Sequence, residues 1–181
     1  MIAWRPARTI ALLAVAVVVL TATVASTAAG GGATTFRIAH VTDGDTVVLS
    51  NGARVRLVQI DSPEVFFGTE CYGRRASAAT KHLLPPGTPV LLSVEPVTDR
   101  VDQYGRLLRY VVRAKDHLNV NIRLVAVGAA APYFYRGRRG RYAGVLDRLA
   151  RRARAAHRGL WGACPWTPYD PDHAVQTDRP H

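Results

Sequence analysis

The sequence predicts an α+β fold in which a five-stranded OB-type β-barrel carries three α-helices. The first observation is a meander of three short apolar strands within about 25 residues, joined by tight turns. The second is an alanine-rich helical pattern between the third strand and the fourth, which is the order of elements in an OB-type barrel. The third is composition, since a 181-residue chain that is 48% apolar can bury one substantial core.

The strands are predicted from alternating apolar residues and from the turns between them. Asp43-Gly44-Asp45 makes the turn between the first two strands, and Asn51-Gly52 is a strong hairpin signal between the second and the third. The third strand ends at Asp61-Ser62-Pro63. The five strands are predicted at residues 36–41, 46–49, 55–60, 90–94 and 107–112.

Two helices are predicted around these last two strands. The first covers residues 72–84 and is stopped by Pro85-Pro86-Gly87. The second is short, is capped by Asn119 or Asn121, and ends at Gly128.

The third helix is predicted over residues 139–158, where apolar residues recur at three- and four-residue steps along one stripe. Arginines lie mostly off that stripe, so they form either a solvated face or a surface for a polyanion. These arginines are at positions 141, 148, 151, 152, 154 and 158.

The N-terminal residues have the pattern of an export signal. Arg5 and Arg8 precede an uncharged apolar run over residues 10–19, and Ser26-Thr27-Ala28 has the small-residue form that signal peptidase recognises. We therefore predict a signal peptide at residues 1–28, a linker at 29–35 and secretion of the mature chain. The alternative is an uncleaved N-terminal membrane anchor.

The chain has two cysteines, Cys71 and Cys164, and secretion would decide their oxidation state. Thiols of an exported protein meet oxidising conditions and usually pair, although two buried or intermolecular thiols remain the alternative. Their spacing fits no zinc motif. The folded domain is predicted at residues 36–164, and the polar, proline-spaced residues 165–181 are predicted to be a disordered tail.

The formal net charge is +11, from 24 basic and 13 acidic residues. A surplus of this size favours polyanionic partners, of which nucleic acid is the commonest. A basic protein that merely stays soluble, or one that lies on an anionic membrane, would have the same net charge.

Charged side chains concentrate at three turns, where a barrel exposes them. The first turn is Asp43-Gly44-Asp45, whose carboxylates suit a hard cation such as Ca²⁺. The second joins Arg56 to Asp61 and Glu64 at the end of the third strand, and the third contains Arg106. A cation, guanidinium groups and a carboxylate that acts on water are the groups that phosphodiester hydrolysis needs.

The complete series of motifs, in register with the strand order, resembles the staphylococcal nuclease (thermonuclease) family. The resemblance runs from about Phe36 to Trp161. It is carried by Asp43-Gly44-Asp45-Thr46, Arg56 with Asp61-Ser62-Pro63-Glu64, Tyr72-Gly73, Tyr104-Gly105-Arg106, Asn121, Tyr133-Phe134-Tyr135 and Gly159-Leu160-Trp161.

The resemblance implies a calcium-dependent nuclease that cuts DNA and RNA and leaves 3′-phosphate ends. It implies that Asp45, Asp61 and the backbone carbonyl of Ser62 ligate Ca²⁺. Asp43 would support this site without touching the ion. The fold in question also brings Cys71 and Cys164 to the same side of the barrel.

The resemblance also implies the residues that act on the substrate. Arg56 and Arg106 would hold the scissile phosphate, and Glu64 would act on the attacking water as a general base or by orienting it. The nucleotide pocket would be lined by Tyr104, Tyr133 and Tyr135, although the last two could instead pack beneath the third helix.

Two departures from the family pattern concern substrate binding. Gln103 stands where a lysine is frequent, and the short loop before the first helix contains Phe66-Phe67 in place of lysines. The competing hypotheses are a nucleic-acid-binding OB module without catalysis and a membrane-anchored surface nuclease. We expect a monomer with no obligate protein partner.

Overall fold

The computed structural model of the chain describes Met1 and residues 34–66 and 68–178. The predicted signal peptide, apart from Met1, and residues 29–33 of the predicted linker lie outside the described residues. In the described part, no helix has the length and apolar character needed to cross a membrane.

A closed barrel of five strands forms the centre of the fold, which confirms the predicted fold class. The strand order around the barrel is β1-β2-β3-β6-β5, and β4 pairs with β7 in a separate two-stranded sheet. The strands are β1 Thr35–Val41, β2 Thr46–Leu49, β3 Arg54–Leu57, β4 Ile60–Asp61, β5 Pro89–Ser93, β6 Leu107–Arg113 and β7 Ala131–Pro132.

Antiparallel pairing joins most of the barrel, and one parallel pair closes it. The β2–β3 hairpin turns at Asn51-Gly52 as predicted, with Gly52 at φ +84°. Strand β3 runs parallel to β6, with Val55 opposite Leu107 and Arg56 opposite Leu108. This pairing places Arg56 beside the start of β6, just beyond Arg106.

The third predicted strand is wrong in its second half, because the chain turns after Leu57. Gln59 has φ 66°, a left-handed conformation that a side chain other than glycine seldom adopts. Its buried amide compensates, since Nε2 donates to the Arg138 carbonyl and Oε1 accepts from the Gly140 N–H, both at 2.7 Å. The turn sends β4 away from the barrel to pair with β7.

The helices are α1 Gly73–Leu83, α2 Val120–Ala126, α3 Ala143–Ala155 and a one-turn α4 Leu160–Ala163. Asn119 is the cap of α2, because its Oδ1 accepts the Ile122 N–H at 3.1 Å. Asn121 is fully buried and has a different role. Its side chain accepts from the Val111 N–H at 3.0 Å and donates to the Val58 carbonyl at 2.9 Å, which joins α2 to the barrel.

Helix α3 is shorter than predicted and begins at Ala143, because the preceding residues form a loop fixed by Glu95. The Glu95 carboxylate is buried and accepts from the Arg141 backbone N–H at 2.9 Å and from the Tyr110 hydroxyl at 3.2 Å. Burial opposes its ionisation, but these hydrogen bonds outweigh it and lower the pKa of Glu95. The apolar stripe of α3 faces the core, with Leu146 and Ala153 buried as predicted, and Ala150 is buried beside them.

The described part of the predicted disordered tail, residues 165–178, is instead packed on the domain. Val175 is 5% exposed and Thr177 is 0% exposed. Tyr169 lies against Trp161 with ring centroids 5.7 Å apart, and the Pro171 carbonyl accepts the Phe134 N–H at 2.7 Å. The polar, proline-spaced composition suggested disorder because it has no local periodicity, whereas the contacts at Pro171, Val175 and Thr177 are with residues far away in the sequence.

A disulfide joins Cys71 to Cys164 across 93 positions of sequence, with their Cα atoms 5.7 Å apart. Cys71 lies just before α1 and Cys164 directly follows α4. The bridge therefore ties the start of the first helix to the end of the last.

Candidate functional site

The turn between β1 and β2 presents Asp45 to the interior of the site. Asp43 holds this turn, since its Oδ1 accepts the N–H groups of Asp45 at 3.0 Å and Thr46 at 2.7 Å. Gly44 is required by space, because a Cβ there would lie 2.4 Å from the Ser62 Oγ. Asp43 thus shapes the turn that carries Asp45.

Asp45 is 5% exposed, and both of its carboxylate oxygens accept hydrogen bonds. Its Oδ2 accepts from the Ser62 backbone N–H at 2.8 Å and from the Ser62 hydroxyl at 2.9 Å. Its Oδ1 accepts from the Thr46 hydroxyl at 3.2 Å. The Ser62 side chain therefore has a role that the sequence did not predict, which is to orient Asp45.

Arg56 lies between the two predicted metal ligands and binds both. Its Nε is 3.1 Å from Asp45 Oδ1, and its Nη2 donates to Asp61 Oδ1. Nη1 donates to the carbonyls of Leu57 at 2.9 Å and Ile60 at 2.7 Å, which fixes the guanidinium at the β3–β4 turn. Burial opposes its charge, but Asp45 and Asp61 raise the pKa of Arg56 above its ordinary value.

Asp61 ends β4 and is also buried. Its Oδ2 accepts the backbone N–H of Val175 at 2.9 Å, a contact across 114 positions of sequence. Burial raises the pKa of Asp61 to about 7 despite Arg56, and the nearby Asp45 carboxylate raises it further. One guanidinium thus faces several carboxylates, and the cluster carries more negative charge than Arg56 neutralises.

Glu64 lies at the exposed edge of this cluster. Its carboxylate makes no hydrogen bond with the described part of the chain, while its backbone N–H donates to Glu70 Oε2 at 2.9 Å. Partial burial and the Asp45 and Asp43 carboxylates raise the pKa of Glu64. A Cβ at Gly73 would lie 2.3 Å from the Glu64 carbonyl, so glycine allows the start of α1 to press against this segment.

Arg106 reaches the site from the turn that precedes β6. Asp102 forms this turn, since its Oδ1 accepts the N–H groups of Tyr104 and Arg106, both at 2.9 Å. Its Oδ2 lies 2.7 Å from Arg106 Nε. Burial opposes ionisation of Asp102, but its contacts with Arg106 lower the pKa of Asp102. Asp102 therefore positions Arg106. The sequence signal for this role was an aspartate four residues before an arginine, with a glycine turn between them.

A hydroxyl links Arg106 to the acidic cluster. Arg106 Nη1 donates to Thr46 Oγ1 at 3.3 Å, and the same hydroxyl donates to Asp45 Oδ1. The two predicted phosphate-binding arginines are thus joined through Thr46 and Asp45.

A cavity of about 450 Å³ opens beside these arginines. Arg56, Arg106 and the three predicted tyrosines all line it. Tyr104 is 62% exposed and lies against the Arg106 guanidinium, 5.4 Å from ring centroid to Cζ. The rings of Tyr133 and Tyr135 lie edge to face, with their centroids 6.4 Å apart. Both residues line the cavity, so neither is hidden beneath α3.

Two further arginines line the same cavity and were not predicted. Arg136 lies against the Tyr135 ring, 5.1 Å from the centroid, and Arg138 pairs with Asp99 at 3.1 Å. The run of basic residues after Tyr135 was the available signal, but nothing local indicates which of its arginines turn inward.

Comparison with known proteins identifies a family for the chain. The family model described as staphylococcal nuclease homologue matches residues 54–163, well over half of the chain. The matched region contains Arg56, Asp61, Glu64 and Arg106, while Asp45 lies just before it. No curated protein matches the chain. The match establishes that this chain belongs to the staphylococcal nuclease family, which implies a nuclease.

Proposed function

We propose that this protein is an exported, calcium-dependent nuclease that hydrolyses phosphodiester bonds of DNA and RNA and leaves 3′-phosphate ends. The observation that carries the proposal is the joined cluster of Asp45, Arg56 and Asp61 beside a cavity that Arg106 and three tyrosines line. Acidic and arginine groups of this kind, next to a nucleotide-sized cavity, suit phosphoryl transfer chemistry.

The candidate calcium ligands fit the ion by their chemistry. No group of three or more His, Cys, Asp or Glu within the described residues is arranged to hold a metal. The proposed donors are instead two carboxylates, Asp45 and Asp61, with the Ser62 carbonyl, and all of them are oxygen atoms, which Ca²⁺ prefers. Burial is the main cause of the raised pKa of Asp61, and the nearby Asp45 carboxylate raises it further, so a cation bound between the two carboxylates would offset their repulsion.

Bound calcium would supply positive charge against the phosphate during the reaction. Arg106 would add a guanidinium, since Nε and Nη1 are engaged by Asp102 and Thr46 and the remaining donors can reach phosphate oxygens. Arg56 has most of its donors engaged by the protein. It therefore acts chiefly by holding Asp45 and Asp61 in place and by placing positive charge next to the phosphate.

Glu64 is the group we assign to the attacking water. It is exposed at the edge of the cluster, and its carboxylate is free of hydrogen bonds to the described residues. A carboxylate whose pKa is raised accepts a proton more readily, which suits a general base. The exposed rings of Tyr104 and Tyr135 can stack on nucleotide bases.

The test is a cleavage assay on single-stranded DNA, duplex DNA and RNA, with Ca²⁺ or with excess EDTA. We expect cleavage of all three with Ca²⁺, loss of cleavage in EDTA, and recovery when Ca²⁺ is restored. Full activity in EDTA would contradict the metal assignment. Binding of nucleic acid without any cleavage would favour the rival hypothesis, a binding module.

Export is tested separately by the intact mass of the protein released from the producing cell. A mass equal to that of a chain that begins near Ala29 supports signal cleavage. The mass of the full chain, found in the membrane fraction, would support the anchored alternative.

The salt dependence of binding should reveal which arginines meet the phosphate backbone. Arg148 and Arg152 are exposed on α3 and form no ion pair with the described residues. We expect affinity of the Glu64→Ala variant for duplex DNA to fall steeply with salt, because bound phosphates release counterions. Adding Arg148→Gln and Arg152→Gln should reduce the log–log slope by up to about 1.8, at about 0.9 per phosphate contact.

The matched control replaces Lys81 and Lys115, two exposed residues that remove the same charge from other elements. An equal change of slope in both double variants would mean that only net charge matters. An unchanged slope in the α3 variant would identify its arginines as a solvated face.

A further inference from the structure

Residues 165–178, which lie beyond the family match, return to the candidate metal site. The Val175 N–H donates to Asp61 Oδ2 at 2.9 Å. We propose that this segment contributes to the metal site, and that Val175 is a positioning residue whose backbone amide fixes the Asp61 carboxylate. The inference rests on the proposed function, since it takes Asp61 to be a calcium ligand.

The first half of the segment is held against α3 and the residues after β7. The Tyr169 ring packs on Trp161, and its hydroxyl donates to the Asp147 carbonyl at 3.2 Å. The Pro171 carbonyl then accepts the Phe134 N–H at 2.7 Å. These contacts lead the chain along the domain toward β4.

The second half is fastened at Cys71. The Thr177 hydroxyl donates to the Cys71 carbonyl, and the Cys71 N–H donates to Asp178 Oδ1 at 3.2 Å. Cys71 is bridged to Cys164, the residue immediately before the segment. The segment therefore leaves one disulfide and returns to it as a closed loop, with Val175 and Thr177 buried at its end.

This arrangement fixes the orientation of the Asp61 carboxylate. Arg56 holds Oδ1 and the Val175 amide holds Oδ2, so rotation of the carboxylate would break one of the two hydrogen bonds. Each oxygen keeps a further lone pair for a cation. The amide orients Asp61 without adding a net positive charge, whereas a second arginine would repel the cation. A ligand fixed before binding loses less entropy when the ion binds.

The deciding experiment compares Val175→Pro with Val175→Ala. Both variants remove the valine side chain, but only proline removes the N–H. Ca²⁺ affinity is measured by isothermal titration, and folding is followed by Tm without Ca²⁺. We expect Val175→Ala to bind Ca²⁺ within about threefold of the unmodified protein, and Val175→Pro to bind roughly tenfold or more weakly, as for other groups that orient metal ligands.

Equal Ca²⁺ affinities for the two variants would overturn the inference, and so would tighter binding by Val175→Pro, which would mean that the segment competes with the ion. If Val175→Pro does not fold, the double variant Thr177→Val, Asp178→Ala decides the matter. It removes both side-chain contacts that fasten the segment to Cys71 and leaves Val175 intact. Weakened Ca²⁺ binding supports the inference, and unchanged binding overturns it. Absence of Ca²⁺ binding in the unmodified protein would reject the proposed metal site itself, a result distinct from equal affinities of the variants.

Discussion

Replacing Glu64 or Arg106 by alanine is expected to slow phosphodiester cleavage by at least two orders of magnitude. Loss of a general base typically costs a factor of roughly 10²–10⁴. Loss of one group that stabilises developing charge costs roughly 10²–10³. Glu64 is exposed, and Asp102 keeps its backbone contacts in the turn without the Arg106 side chain, so the Tm should change little.

Conservative variants separate chemistry from binding in this prediction. Glu64→Gln keeps the size of the side chain but cannot accept the proton, so it should be nearly as slow as Glu64→Ala. Arg106→Lys keeps the charge but loses the fork of donors, so it should recover part of kcat. Rates close to that of the unmodified enzyme for both alanine variants would reject the mechanism.

The second large effect is expected from the Cys71–Cys164 bridge. The disulfide spans 93 positions, and a loop of this length accounts for about 4–5 kcal/mol of the free energy of unfolding through the entropy of the unfolded chain. Strain in the folded state generally lowers that figure. The double variant Cys71→Ser, Cys164→Ser should therefore unfold at markedly lower urea concentration.

Reductant provides the control, because it should destabilise the unmodified protein to the same extent and leave the double serine variant unchanged. Titration of two free thiols per chain under denaturing, non-reducing conditions would contradict the bridge.

The predictable part of the fold is the part with local signals. Strand alternation, the Asn51-Gly52 hairpin and the stripe of α3 could each be identified within a short window, and all are present. The turn at Gln59 could not be predicted, because its left-handed conformation is stabilised by Arg138 and Gly140, about 80 residues away.

The candidate site also has a part that could be predicted from the sequence and a part that could not. Asp45, Arg56, Asp61, Glu64 and Arg106 were proposed from motifs and resemblance, and the structure brings them to one region. The contribution of Val175 could not be predicted, because it comes from a backbone amide, which every residue except proline has. The polar composition of residues 165–178 gives no sign of such a backbone contact, so the prediction of disorder for this segment was wrong.

The parallel pairing of β3 with β6 has a consequence for when this enzyme becomes active. Val55 meets Leu107, and Asp61 meets Val175, so contacts across 52 and 114 positions must form before the carboxylates and arginines converge. Contacts between such distant residues are slow to form and come late in folding. A chain that is still being synthesised, or is kept unfolded for transport, holds these groups far apart. The candidate site is therefore complete only in the finished fold, and under the proposed function of an exported nuclease a partly folded chain would not cut the nucleic acids of the cell that makes it.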